Sequence, residues 1–173
     1  MTHSHLRNFL VALIVFPVTL GAQEVTHLAV YSFFHVPATL IVTPWRFQLV
    51  DLWVFGLHAE AGVTPSVPVH IASDALGPLL PGLSLLVLWL AVRSAPAARA
   101  ILANVLVLFF FSLLELAFAV GEFAMHRNMD VLLWPELNFG PVLLILVLTI
   151  WWPFRPRRAG PAPDLQVVGE PGG

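Results

Sequence analysis

From Ala100 to Gly121 the chain reads AILANVLVLFFFSLLELAFAVG, with Glu115 as the only charged residue. About 20 apolar residues in a helix cross the roughly 30 Å hydrocarbon core of a bilayer. A run of this length has no place in a small water-soluble fold, which exposes much of its surface. Two more stretches have span length on their own: Val25 to Thr43 (VTHLAVYSFFHVPATLIVT) and Gly77 to Val92 (GPLLPGLSLLVLWLAV). A fourth, Gly140 to Trp152, is short and reaches span length only when extended to Leu137 or Phe154.

Composition agrees. The 173 residues are 58% hydrophobic and 10% charged, with a mean hydropathy of +0.87, against about 45–50% and 25% in soluble domains. A water-soluble enzyme and a disordered regulator are excluded. The net charge of −2 provides no basic footprint for nucleic acid. Every base is arginine, and cysteine is absent, which removes disulfides, thiolate metal ligands and thiol catalysis. Without lysine there is no Schiff-base chemistry.

Two segments have alternative readings. Arg7 followed by FLVALIVFPVTL and Gly21-Ala22 has the shape of a signal peptide or of a short first span; a poor cleavage signal favours a retained helix. Phe47 to Thr64 carries Asp51, His58 and Glu60, and crosses only if these face protein or water; otherwise it is re-entrant or lies on the surface. The arginine distribution favours crossing. With six spans and both termini cytoplasmic, Arg127 alone lies outside, as the positive-inside bias requires. Trp45, Trp89, Trp151 and Trp152 then mark cytoplasmic ends and Trp134 the outer one. The expected fold is thus an all-α, polytopic bundle of six spans over residues 1–154, or five if 47–64 does not cross. A Pro- and Gly-rich cytoplasmic tail follows over 155–173. The expected location is the plasma (inner) membrane.

Ionisable residues inside spans are costly and point to function. Glu24, His27, Tyr31, His35, Thr39 and Thr43 follow at steps of three or four, a single stripe if the segment is one helix. Asn104, Glu115, Glu122 and His126 share a second face, within about 40° at the helical step. Asp51 with His58, and His70 with Asp74, repeat the pairing. Asp74, just before Pro78 and Pro81, is also placed to cap the following helix. Pro37 is expected to kink the second span beside His35. Most of these groups map to the outer half of the membrane.

Imidazole and carboxylate without thiolate suit zinc, iron or copper. The metal or haem ligand pool is therefore His27, His35, His58, Glu115, Glu122 and His126, with Met125 and Met129 flanking the last. No H-E-x-x-H is present. A second reading is an intramembrane acid–base enzyme acting on a lipid-like substrate, with Glu115 as the central group and His35 and Tyr31 as partners. A third is proton or ion translocation along the stripes. A fourth is a structural or assembly subunit whose polar pairs lock helices together. The bilayer is the expected environment, and a second copy or a membrane-complex subunit the expected protein partner.

Overall fold

The computed structural model describes residues 3–47, 51–95, 97–125 and 135–151. The order is α1 (His3–Phe33), β1 (Ala38–Phe47), β2 (Leu52–Ala61), α2 (Val67–Val92), α3 (Ala98–Met125) and α4 (Pro135–Trp151). Three helices are long and apolar enough to cross a membrane: His3–Phe33, Val67–Val92 and Ala98–Ala124. Phe139–Trp151 is a shorter apolar helix.

The six-span, all-α expectation is corrected here, at both of its weak segments. Residues read as two spans, 1–22 and 25–43, instead supply one 31-residue helix, α1, that stops at Phe33. The stop is a Schellman turn. Val36 N–H reaches the Tyr31 carbonyl at 2.9 Å and His35 N–H the Ser32 carbonyl at 3.0 Å, with His35 left-handed at φ 58°. Pro37 follows at the position where proline favours a stop over a kink.

Past that turn the β-branched and aromatic residues form an antiparallel hairpin in place of a span. Ala38 pairs with Ala61 and Phe47 with Leu52. Thr39, Ile41, Val42, Thr43 and Trp45 fit a pleated strand better than a helix. Pro44 is tolerated because each strand of a two-stranded sheet has a free edge. Gly62 N–H donates to the Pro37 carbonyl at 2.7 Å, so the hairpin returns to where it left α1. Its far end packs at mid-helix level. Trp45 and Phe47 lie 5.5 and 5.6 Å from the Phe139 ring, which also meets Phe16 and Phe111 at 6.0 and 6.4 Å. Trp45 is thus about 18 Å along α4 from Trp151, not beside it as expected. Asp51, left-handed at φ 47°, closes the turn and accepts from Arg46 Nε at 2.9 Å.

α2 starts ten residues earlier than expected, with Ser66 at its N-cap and Pro68 in its first turn. Pro78 and Pro81 therefore lie inside the helix. Asp74 is likewise interior, so it does not cap; it faces His70 at 3.5 Å.

The core lies between α1, α3 and α4, where Ala12, Ala100 and Ala103 meet Val107, Phe111, Val142, Leu146 and Ile150. Small residues allow the backbones to approach closely, as helices in lipid require. Asn104 fastens this contact, with Nδ2 donating to the Ala12 carbonyl at 3.2 Å and the Ala100 carbonyl at 2.9 Å. At one end of the bundle the Ile150 carbonyl of α4 receives Arg99 at 3.2 Å and contacts the His5 ring at 3.0 Å. Outward-facing Ile14, Val18, Val87 and Leu113 are well exposed, as lipid-facing positions are in a bilayer.

Candidate functional site

Three helices each contribute two residues, one turn apart, to a buried polar cluster. α1 supplies Gln23 and His27, α2 supplies Ser73 and Gly77, and α3 supplies Ser112 and Glu115. Spacings of three and four place both members of a pair on one helix face. The cluster lies about 9–20 Å inside the ends at Phe33 and Met125, at 1.5 Å per residue.

His27 is its centre. Nδ1 of the imidazole is 3.0 Å from Ser73 Oγ, and Nε2 is 3.3 Å from Glu115 Oε2. Glycine is required opposite: a Cβ on Gly77 would overlap the edge of the His27 ring. Gln23 Nε2 donates to Glu115 Oε1 at 2.6 Å, and Ser112 Oγ donates to the Ala75 carbonyl at 2.9 Å, holding α3 to α2. Ser73 is fully buried, and Gln23 and His27 nearly so.

Two oxygens of this cluster are left over. Gln23 Oε1 and Glu115 Oε2 are buried without a hydrogen-bond donor; the 3.3 Å approach of His27 Nε2 is an ion-pair distance without hydrogen-bond alignment. Orphaned acceptors of this kind cost about 1–3 kcal/mol each, more when charged.

A second arrangement fastens the hairpin. Glu24 Oε2 accepts from the Ala59 N–H at 2.8 Å and lies 3.8 Å from His58 Nδ1.

Of the expected ligand pool, the structure brings together His27 and Glu115. His58 is on β2 beside Glu24, on a strand and not on the helix face expected for it with Asp51. Glu122 is two turns beyond Glu115, about 10 Å along α3. His35 is past the end of α1 and exposed, so the stripe through His35, Thr39 and Thr43 does not form. Nor is His35 a partner for Glu115. Tyr31 remains on α1, buried one turn beyond His27. His126, Met129, Trp134 and the tail 155–173 lie outside the described residues. Among the described residues no three His, Asp or Glu side chains converge as a metal set.

Sequence reasoning missed Gln23, Ser73 and Gly77. Gln23 lies four residues before His27, and Ser73 four before Gly77. The helical spacing was there, but the α1 stripe was traced from Glu24 onward and so began one residue past Gln23.

Comparison with protein-family models, with curated proteins and with solved structures finds no match to this chain.

Proposed function

We propose that the chain is a multi-pass membrane protein that binds a divalent transition-metal ion between His27 and Glu115. The observation that supports this is the orphaned Glu115 Oε2, 3.3 Å from His27 Nε2. Two ligands at 2.0–2.1 Å in a tetrahedron stand roughly 3.3–3.4 Å apart, a separation that this pair matches. Ser73 on Nδ1 plays the supporting part that a metal-bound imidazole needs, fixing the ring with Nε2 inward. Haem fits poorly: an iron on Nε2 would drive the porphyrin through the Glu115 carboxylate. An ion held here would act as a Lewis acid inside the membrane.

In this reading the end carrying Arg7, Arg93 and Arg99 is cytoplasmic, by the positive-inside bias. The His27–Glu115 cluster then sits in the outer half of the plasma (inner) membrane, with lipid as its surroundings.

Metal analysis of the detergent-purified protein tests the reading. Near-stoichiometric zinc, iron or copper, lost in His27→Ala and in Glu115→Ala, is the expected result. A metal-free protein that also fails to take up added zinc overturns it. That outcome favours the acid–base reading, which the placement of His27 between Ser73 and the Glu115 carboxylate supports. Turnover of a lipid-like substrate abolished by Glu115→Gln is its signature.

A further inference from the structure

Apolar exposure is ordinary on a lipid-facing surface, but an exposed ion pair is not. Arg46 and Asp51 form one at the tip of the hairpin, Nη2 to Oδ1 at 2.9 Å, with side chains 56% and 72% exposed. The depth of that tip follows from its packing. The neighbours of Arg46 on β1, Trp45 and Phe47, both lie against Phe139, which is about 18 Å along α4 from Trp151. Phe111, against the same ring, is about 20 Å along α3 from Ala98. Trp151, Arg93 and Arg99 mark that end of the bundle as an interface, and the hydrocarbon core extends about 30 Å beyond it. The ion pair therefore stands about 10 Å below the opposite surface, at a depth where charged groups face protein or water and not lipid.

Directly paired strand residues share a face of the sheet, and the register sorts the hairpin into two faces. Ile41, Thr43, Trp45 and Phe47 are half-buried toward the bundle. The alternate face carries Val42 with Leu57, Pro44 with Phe55 and Arg46 with Trp53. All six are exposed, Phe55 at 70%. The Arg46 guanidinium lies over the Trp53 ring at 5.7 Å, which holds it on this face.

We infer that this face is a homodimer interface, closed by a two-fold axis along the membrane normal. Such an axis keeps every residue at its own depth and exchanges left for right, so β1 of one copy faces β2 of the other. Arg46 then stands opposite Asp51 of the second copy, and Asp51 opposite its Arg46. Two exposed ion pairs at one depth become a ring of four alternating charges. By the same exchange Val42 falls opposite Leu57, and Pro44 opposite Phe55, which adds an apolar seam beside the ring. The charges select the occupant: a patch with both signs side by side at one level complements its own copy without any further group. The inference stands apart from the metal reading, since no residue of the His27–Glu115 cluster takes part.

The test is the dimer fraction of the full-length protein in lipid vesicles, read by single-molecule photobleaching across a dilution series in lipid. The chain has no cysteine, so one added after Gly173 takes the label. Wild type is expected to dimerise. Arg46→Asp and Asp51→Arg each set like charges against one another and should weaken association by at least about tenfold. Mixed in the same vesicles, these two variants should pair with each other at close to wild-type strength, because each supplies the charge the other lacks. The double exchange, Arg46→Asp with Asp51→Arg, should dimerise as well and guards against misfolding of either single variant. Phe55→Ala should weaken the dimer about fivefold or more, as loss of an aromatic anchor does. Val87→Ala, at a position equally exposed on α2, should leave it unchanged. A wild type that is monomeric at every dilution overturns the inference. A dimer that persists unchanged in Arg46→Asp, Asp51→Arg and Phe55→Ala also overturns it, because the copies then meet elsewhere. So does a mixture of the two charge variants that fails to pair while wild type and the double exchange dimerise.

Discussion

His27 Nε2 and Glu115 Oε2 meet at 3.3 Å across the α1–α3 interface, with Ser73 of α2 on the far side of the imidazole at 3.0 Å. One ring therefore ties three helices, and what happens to it governs both the fold and the proposed chemistry. Replacing Glu115 separates the two. Glu115→Gln keeps a side-chain oxygen for Gln23 Nε2 and should cost roughly 0.6–2 kcal/mol, the range of interhelical bonds in membranes. Glu115→Ala strands both Gln23 and His27 and should cost at least about 1–3 kcal/mol. Thermal unfolding in detergent gives the order, and bound metal should be lost in the alanine variant.

Gly77 is the floor under the same ring. A methyl group there overlaps the imidazole, and α1 and α2 are too closely packed to absorb it. Gly77→Ala should destabilise by about 1–3 kcal/mol as an overpacked core does, and should lower zinc affinity by tilting His27 off Ser73. Unchanged stability together with unchanged zinc binding would show that the ring does not rest on this glycine.

How far the sequence led depended on where the deciding information lay. Ala100–Gly121 was legible because length and polarity alone identify a span, and α3 brackets it. Gln23 and Ser73 were not, because an uncharged polar residue carries no cost visible in composition; its partner is 92 or 46 residues away. The hairpin was misread because β-branched runs are as hydrophobic as helical spans, and Pro37 serves equally as a kink or a stop. His35 looked like a ligand because it continues the spacing of Glu24, His27 and Tyr31, a stripe that ends where α1 does, in its C-terminal turn.

That turn makes its own prediction. At φ 58° His35 occupies a conformation that glycine adopts without strain. His35→Gly should leave metal binding intact and stabilise the protein by up to about 1 kcal/mol. Loss of bound metal in this variant would instead return His35 to the ligand set.

Asn104 supplies a control distant from the His27–Glu115 cluster. Its amide donates to the Ala12 and Ala100 carbonyls, and Thr19 Oγ1 lies 3.5 Å from its Oδ1. Asn104→Ala should cost roughly 1–3 kcal/mol by freeing buried acceptors, with zinc affinity unchanged in the folded fraction. A parallel fall in affinity would mean that the two polar layers act as one unit.

The hairpin makes the sharpest topological prediction. Pro37 and Gly62 are joined by a 2.7 Å hydrogen bond, so the chain enters and leaves the hairpin on the same side of the bundle. A crossing segment over 47–64 would place them on opposite sides. Because the chain has no cysteine, single replacements report without background. Val36→Cys and Val63→Cys should react with an impermeant thiol reagent from one face of sealed vesicles, and Ala95→Cys, after the whole length of α2, from the other. The arginines at the α2–α3 junction, Arg93 and Arg99, make that second face the cytoplasmic one. Labelling of Val36→Cys and Val63→Cys from opposite faces would restore the crossing segment, and with it the longer bundle.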